Sequence, residues 1–112
     1  SAESPVHSNY KQAIVEAAAT GTYMLNTKSS PCIRALKADF TARIHEAGLM
    51  EPTAFAGIQQ VYFGGDMNAA PALAGQSAGL IHEVKTVQTI IEETVQQFQA
   101  IAQRMGQLSA GF

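Results

Sequence analysis

Apolar and polar positions follow a helical period along most of this chain. The clearest repeat lies near the end of the chain. Apolar residues recur there at intervals of three and four, and polar residues, mostly glutamine and glutamate, lie between them on the other side of the helix. Thr86 is a suitable cap residue in front of it. The pattern predicts an amphipathic last helix of about 20 residues, long enough to span about 30 Å. Its apolar positions are Val87, Ile90, Ile91, Val95, Phe98, Ile101, Met105 and Leu108.

Weaker helical signals come earlier. A first helix is predicted to begin near Ser4 or Ser8 and to end at Gly21, because serine favours helix starts and glycine favours helix ends. Residues 22–25 are β-prone but few, and they predict one short strand or an extended link.

Two more helices are predicted in the middle of the chain. Ser30-Pro31 suits a cap and a first turn, and Gly48 suits an end. Another helix is predicted from Thr53 to the double glycine Gly64-Gly65. The apolar stripe of the earlier one consists of Ile33, Leu36, Phe40 and Ile44.

Gly64-Gly65 and Asp66 lead into a run that is rich in small side chains, and this run predicts a further helix over about residues 70–82. Gly75 and Gly79 would share one face of that helix, since they are four positions apart. Each interior glycine costs about 1 kcal/mol relative to alanine. Such a face therefore predicts the close approach of another backbone or of a flat ligand.

The composition of the chain argues against two classes of partner, nucleic acids and membranes. The 112 residues suit one modest domain, with 46% hydrophobic and 14% charged residues. A net charge of −2 with scattered cations argues against a nucleic-acid partner. No apolar stretch reaches the roughly 20 residues of a membrane helix, so no membrane partner is expected. A single cysteine fits a reducing compartment, and we expect a cytoplasmic protein.

Generic active-site patterns do not assign a catalytic residue. His7, His45 and His82 are far apart and lack metal-ligand spacing, so no metal is expected. Ser29, Ser30 and Ser77 have no base nearby in sequence. The glycines match neither the phosphate-loop pattern nor the dinucleotide fingerprint.

Four segments nevertheless resemble one flavoenzyme family in the right order. Gly65-Asp66 followed by residues 74–81 resembles the C-terminal signature of the nitronate monooxygenases, formerly called nitropropane dioxygenases. Flavin-dependent enoyl-acyl carrier protein reductases and NADH:quinone reductases share the fold of that family. The other segments are residues 3–7 with Tyr10-Lys11, residues 34–37, and Val84-Lys85 with Ile90, Ile91 and Val95.

The resemblance implies the C-terminal part of an α/β TIM barrel with a small helical substrate domain. This chain itself would be mostly α, with about five helices and one short strand. Residues 1–21 would follow the last barrel strand, residues 22–64 would belong to the substrate domain with a helix at Arg34, and residues 65–112 would return to the barrel and close it. A complete barrel needs about 250 residues, so its N-terminal segment is missing here.

The resemblance also implies FMN as the cofactor of the complete enzyme. Leu73, Ala74, Gly75 and Gln76 align with residues near the isoalloxazine ring, and Tyr62 aligns with an aromatic on the substrate side. Close helix packing is the alternative for the glycines, and core packing is the alternative for Tyr62. The catalytic histidine of the family lies upstream, so no catalytic residue is assigned in this chain.

The implied reaction is the oxidation of alkyl nitronates by flavin. One alternative is NAD(P)H-dependent reduction of a quinone or an enoyl thioester. Another is a non-catalytic helical lid or oligomerisation fragment. The expected partners are a small-molecule substrate, the missing barrel segment and, in a homo-oligomer, a second copy.

Overall fold

The computed structural model describes residues 1–111, so Phe112, the end of the predicted closing segment, lies outside the described residues. The chain divides into two compact units. One is Pro5–Val84, and the other joins Ser1–Ser4 to the residues from Lys85 onward.

Helix α1 spans Ser8–Glu16. The Nδ1 atom of His7 accepts a hydrogen bond from the Asn9 backbone N–H at 3.0 Å and caps the helix. Tyr10 is buried, and Ala13 and Ile14 on the same side pack against the core. The predicted start near Ser8 is confirmed.

The predicted end of the first helix at Gly21 is wrong. The helix stops at Glu16 although three alanines follow it. The backbone of Ala18 and Ala19 lies against Gly79, where an added Cβ would be 2.6 Å from the Ala19 Cα atom. This packing overrides the helix propensity of the alanines.

Strand β1 spans Thr22–Leu25, as predicted, and strand β2 spans Ile33–Leu36. They pair antiparallel, with Thr22 opposite Leu36. The sequence predicted one helix from Ser30 to Gly48, with Arg34 in it. The prediction is wrong for residues 33–36, which form β2. Ile33 and Leu36 lie in a sheet instead, because the β2 backbone is hydrogen-bonded to β1 on one side and to residues 72–74 on the other.

Helix α2 spans Asp39–Ala47 and ends before Gly48, as predicted. It begins where Thr41, which is 1% exposed, fixes the turn after β2. The Thr41 hydroxyl donates to the Leu36 carbonyl at 2.8 Å and accepts from the Ala38 N–H at 2.9 Å.

The third predicted helix is broken into a 3₁₀ helix, Pro52–Phe55, and a π-helical segment, Gln60–Gly64. Its predicted end at Gly64-Gly65 is confirmed. Gly65 has a φ of +78°, in the left-handed region that glycine adopts readily.

The predicted helix over residues 70–82 is wrong. Ala70, Pro71 and Ala72 are buried in irregular chain, and only the 3₁₀ helix Gln76–Leu80 forms. The small side chains let this segment lie directly beside β2, where backbone hydrogen bonds replace those of a helix.

The predicted fold class, mostly helical with a short strand, is confirmed. The structure differs in having two strands among the described residues instead of one. The core of the Pro5–Val84 unit joins α1, β2, the π-helical segment and the small-residue run. Its buried members are Tyr10, Leu36, Val61, Ala70, Ala72 and Ala78.

Helix α3 spans Val87–Ala110, close to the predicted last helix. The predicted cap is confirmed, since the Thr86 side chain accepts from the Thr89 N–H at 3.2 Å. The Glu3 carboxylate also accepts from the Val87 N–H at 2.8 Å. None of the α3 residues is buried, and the eight apolar side chains of its stripe are 41–70% exposed. Among the described residues, no helix combines the length and apolar character needed to cross a membrane.

Candidate cofactor and substrate site

Leu73, the first of the four predicted cofactor residues, forms an isolated antiparallel bridge with Ala35 of β2. The Leu36 N–H donates to the Ala72 carbonyl at 2.8 Å, and the Ala74 N–H donates to the Arg34 carbonyl at 3.3 Å. Leu73 and Ala35 face each other between these bonds. In such an antiparallel pair, the N–H and C=O groups of Leu73 point away from β2.

Gly75 presents backbone to open space. Its φ and ψ are −80° and 171°, and an added Cβ would meet no atom of the described chain closer than the Ser77 hydroxyl at 3.8 Å. Gln76, which follows it, is exposed. A flat ring could therefore approach this backbone, so the geometry fits the predicted cofactor contact.

Gly79 is different from Gly75. It meets the backbone of Ala18 and Ala19, so close packing within the chain accounts for it. The two glycines do not share a helical face, because residue 75 is extended and residue 79 lies in the 3₁₀ helix. Internal packing explains only one of the two.

Tyr62, the predicted substrate-side residue, is half-buried in the π-helical segment. Its ring stacks on Tyr10, with centroids 5.0 Å apart and planes inclined by 22°. Phe63 lies next to it, tilted by 53°, and is 59% exposed. One face of Tyr62 thus belongs to the core, and the segment also presents aromatic surface.

The start of α1 holds the Tyr62 segment in place. The His7 N–H donates to the Tyr62 carbonyl at 2.6 Å, and the Asn9 side-chain amide donates to the Gly65 carbonyl at 2.9 Å. Gly65 is needed here because a Cβ would lie 2.5 Å from the His7 imidazole.

Tyr10 connects the two predicted halves of the site. Its ring packs against Tyr62, and its hydroxyl donates a hydrogen bond to the Leu73 carbonyl. Burial raises the pKa of the Tyr10 phenol well above its usual range, and the neighbouring Tyr62 phenol raises it further. The hydroxyl therefore remains a donor at neutral pH.

The sequence prediction gave Tyr10 no role in the site. The available signal was a tyrosine on the apolar side of a helix, whose hydroxyl needs a partner when it is buried. The partner, Leu73, is 63 positions away and could not be identified from spacing.

Two of the histidines have structural contacts. His7 caps α1, while the His45 Nδ1 atom lies 3.0 Å from the Met24 carbonyl and its ring stacks on Tyr23 at 4.4 Å. Within residues 1–111, no three histidine, cysteine or acidic side chains are grouped so that they could hold a metal ion.

Comparison with protein-family models and with curated proteins found no match. Among solved structures, the chain is similar to FabK from Thermotoga maritima and to its M276A mutant. The mutant is 30% identical, with a TM-score of 0.79, and the alignment covers 94% of this chain and 33% of that one. For FabK itself, the identity is 30%, the TM-score is 0.79 and the coverages are 89% and 34%.

This chain spans about a third of the length of the solved structures that it matches. The likeness extends over nearly all of its own residues, in both sequence and fold. The chain therefore has the fold of a fragment of a FabK-like TIM-barrel protein.

Proposed function

We propose that this chain is part of an FMN-dependent oxidoreductase and forms a supporting wall of its flavin and substrate site. The similarity to FabK over 94% of the chain, at 30% identity, carries the proposal. Because the chain spans only a third of FabK, the activity belongs to a protein that also contains a barrel.

The cofactor side of the wall is formed by Leu73, Ala74, Gly75 and Gln76. Gly75 supports this assignment, since its backbone faces open space and no internal packing requires a glycine there. The residues would contact the flavin ring through backbone rather than through long side chains. When bound, FMN would supply the electron transfer.

The substrate side is formed by Tyr62. Stacking on Tyr10 fixes its ring, so the phenol would orient a substrate and exclude water by shape. We assign no proton transfer to His7 or His45, because both imidazoles have structural contacts. A catalytic base would come from outside these residues.

FabK is an enoyl-acyl carrier protein reductase, and the similarity to it favours reduction of an enoyl thioester. Oxidation of alkyl nitronates is the second candidate, and the resemblance of residues 65–81 to the nitronate monooxygenase signature favours it. The two reactions use different substrates on the same cofactor, so one protein preparation can distinguish them.

The decisive experiment joins this chain to the part of Thermotoga maritima FabK that it does not match. We expect the purified hybrid to be yellow, to bind FMN and to oxidise NADH with a short enoyl thioester. Oxygen uptake with an alkyl nitronate would identify the second candidate. A folded hybrid that stays colourless with added FMN would contradict the proposal.

A pair of glycine variants tests the cofactor side. Gly75→Val places a side chain in the space assigned to the ring, at backbone angles that valine tolerates, and should weaken FMN binding by about tenfold or more. Gly106→Val on α3 is the matched control, since an added Cβ there meets nothing within 4 Å. Equal FMN affinity of the two variants would remove Gly75 from the site.

The exposed apolar stripe of α3 supports a second part of the proposal. Eight side chains that are 41–70% exposed form a surface larger than isolated apolar residues require. We assign this stripe to packing against the barrel segment. Without that segment, the chain should self-associate through the stripe, as an oligomerisation fragment would. Sedimentation of the 112-residue chain tests this assignment, because a monodisperse monomer would contradict it.

A further inference from the structure

Tyr10 lies between the two sides of the proposed site and contacts both. It is 6% exposed, its ring stacks on Tyr62 at 5.0 Å, and its hydroxyl donates to the Leu73 carbonyl.

Packing alone does not explain the hydroxyl. Phenylalanine would fill the same space and stack on Tyr62 without bringing a buried polar atom that needs a partner. The Leu73 carbonyl supplies the partner. It points away from β2, so the sheet leaves it available, and Tyr10 satisfies it.

Helix α1 anchors Tyr10 on the substrate side as well. The His7 N–H donates to the Tyr62 carbonyl at 2.6 Å, and Asn9 donates to the Gly65 carbonyl at 2.9 Å. The start of α1 is thus fixed to the Tyr62 segment by one backbone and one side-chain hydrogen bond, and the Tyr10 hydroxyl adds a hydrogen bond to the backbone at Leu73. Loss of that hydroxyl would remove the hydrogen bond on the cofactor side and leave the two on the substrate side in place.

We propose that Tyr10 is a positioning residue, whose hydroxyl holds the backbone at Leu73 in fixed relation to the Tyr62 ring. Its cofactor role rests on the proposed function, since it takes residues 73–76 as the flavin wall. The raised pKa of its phenol is consistent with this role, because the hydroxyl then stays a donor in alkaline solution as well as at neutral pH. Tyr10 would act through Leu73 and would not touch the reacting atoms.

The first test uses the 112-residue chain and the variant Tyr10→Phe, which keeps the ring and removes the donor. Amide hydrogen exchange should accelerate about two- to tenfold at Ala74 and Ala78, as expected from the loss of one neutral hydrogen bond. Their N–H groups bond to the Arg34 and Gly75 carbonyls. The Gly48 amide, bonded to Ile44 at 2.9 Å, should be unchanged. Unchanged exchange at Ala74 and Ala78 would overturn the proposal.

The second test uses the hybrid with the FabK barrel. Tyr10→Phe should raise the dissociation constant of FMN about two- to tenfold and change the shape of the visible flavin band, while KM for the substrate stays near that of the parent. Tyr23→Phe is the matched control, because Tyr23 stacks on His45 and lies on β1, separated from Leu73 by strand β2. Identical flavin spectra and affinities of the parent and Tyr10→Phe would overturn the cofactor role.

Failure of the proposed function has a different signature. In that case the parent hybrid, folded and with Tyr10 intact, would not retain FMN. The exchange experiment would still decide whether Tyr10 holds residues 73–76. A change in exchange without any change in flavin binding would leave Tyr10 a structural residue and would contradict its role toward the cofactor.

Discussion

Helices α1 and α3 are both amphipathic, but they differ in what happens to their apolar sides. α1 has nine residues, buries Tyr10 and packs against the core with Ala13 and Ile14. α3 has 24 residues and buries none of them. The longer helix, with the clearer sequence signal, therefore has the less complete packing.

The difference shows what an apolar stripe does and does not predict. It indicates that a helix has a side to cover, but not that the covering residues lie in the same chain. For α1 the partner is the rest of the Pro5–Val84 unit. For α3 we propose a partner outside the 112 residues, in keeping with a chain that spans a third of FabK.

The largest effect should come from cavity formation in the Pro5–Val84 unit. Leu25→Ala removes a side chain that is 0% exposed and should lower the free energy of unfolding by about 2–5 kcal/mol. Leu108→Ala on α3 is the matched control, since Leu108 is 53% exposed, and should change it by less than about 0.5 kcal/mol.

Urea unfolding followed by tyrosine fluorescence measures this contrast. The three tyrosines, Tyr10, Tyr23 and Tyr62, all lie in the Pro5–Val84 unit, and the chain has no tryptophan. Comparable losses for Leu25→Ala and Leu108→Ala would show that α3 is packed within the chain, and the comparison of the helices would then be wrong.

A smaller effect is expected at the glycine that lies against the start of α1. Gly65→Ala forces a left-handed conformation on alanine and puts a Cβ 2.5 Å from the His7 ring, so it should cost about 2 kcal/mol. Gly64→Ala, whose added Cβ would lie 3.8 Å from the Gln60 Cβ atom, should change stability by less than about 0.5 kcal/mol. The same fluorescence transition measures both, and equal midpoints would contradict the role of Gly65.

The sequence predicted elements whose signals are local. The cap at Thr86, strand β1, and the helix ends before Gly48 and at Gly64-Gly65 depend on neighbouring residues, and all are confirmed. Strand β2 was missed, because Ile33 and Leu36 fit a helical period as well as a strand. Its pairing on both sides comes from residues far along the chain.

The candidate site likewise combines a feature that the sequence predicted with a contact that it did not. The small size of Ala74 and Gly75 could be seen in the sequence, and the structure shows that Gly75 is open. The link through Tyr10 could not be seen, because it depends on a hydroxyl that reaches a backbone carbonyl 63 positions away. The assignments of residues 73–76 to a cofactor and of Tyr62 to a substrate stay predictions.

The burial of Tyr10 predicts a loss of stability in alkali. A raised pKa means that the folded protein keeps the phenolic proton while the unfolded chain releases it near its usual pKa of about 10. The stabilisation is complete below that pH and is lost as pH rises toward the raised pKa. Above pH 10 the free energy of unfolding should therefore fall by up to about 1.4 kcal/mol per pH unit from this group.

Tyr10→Phe separates this contribution from other alkaline titrations. Its unfolding free energy should fall less steeply above pH 10 than that of the parent, and Tyr23→Phe, which keeps Tyr10, should retain the parent slope. Urea titrations at a series of pH values measure the slopes. If the unfolding free energy of Tyr10→Phe falls with pH as steeply as that of the parent, the Tyr10 side chain is less well buried than the structure shows.

The smallest effect is expected at the start of α3, where the helix depends on local interactions. Thr86→Ala removes the acceptor of the Thr89 N–H, bonded at 3.2 Å, and should cost α3 about 1 kcal/mol. Thr94→Ala is the control on the same helix. Its hydroxyl donates to the Ile90 carbonyl at 2.7 Å within the helix, and alanine there should keep or raise helicity. Far-UV circular dichroism should detect a loss of helix for Thr86→Ala alone, while the tyrosine transition stays in place. A shift of that transition would mean that α3 stabilises the Pro5–Val84 unit. If the lost helix is restored when Thr86→Ala is made in the hybrid with FabK, the barrel supplies the packing that α3 lacks in this chain.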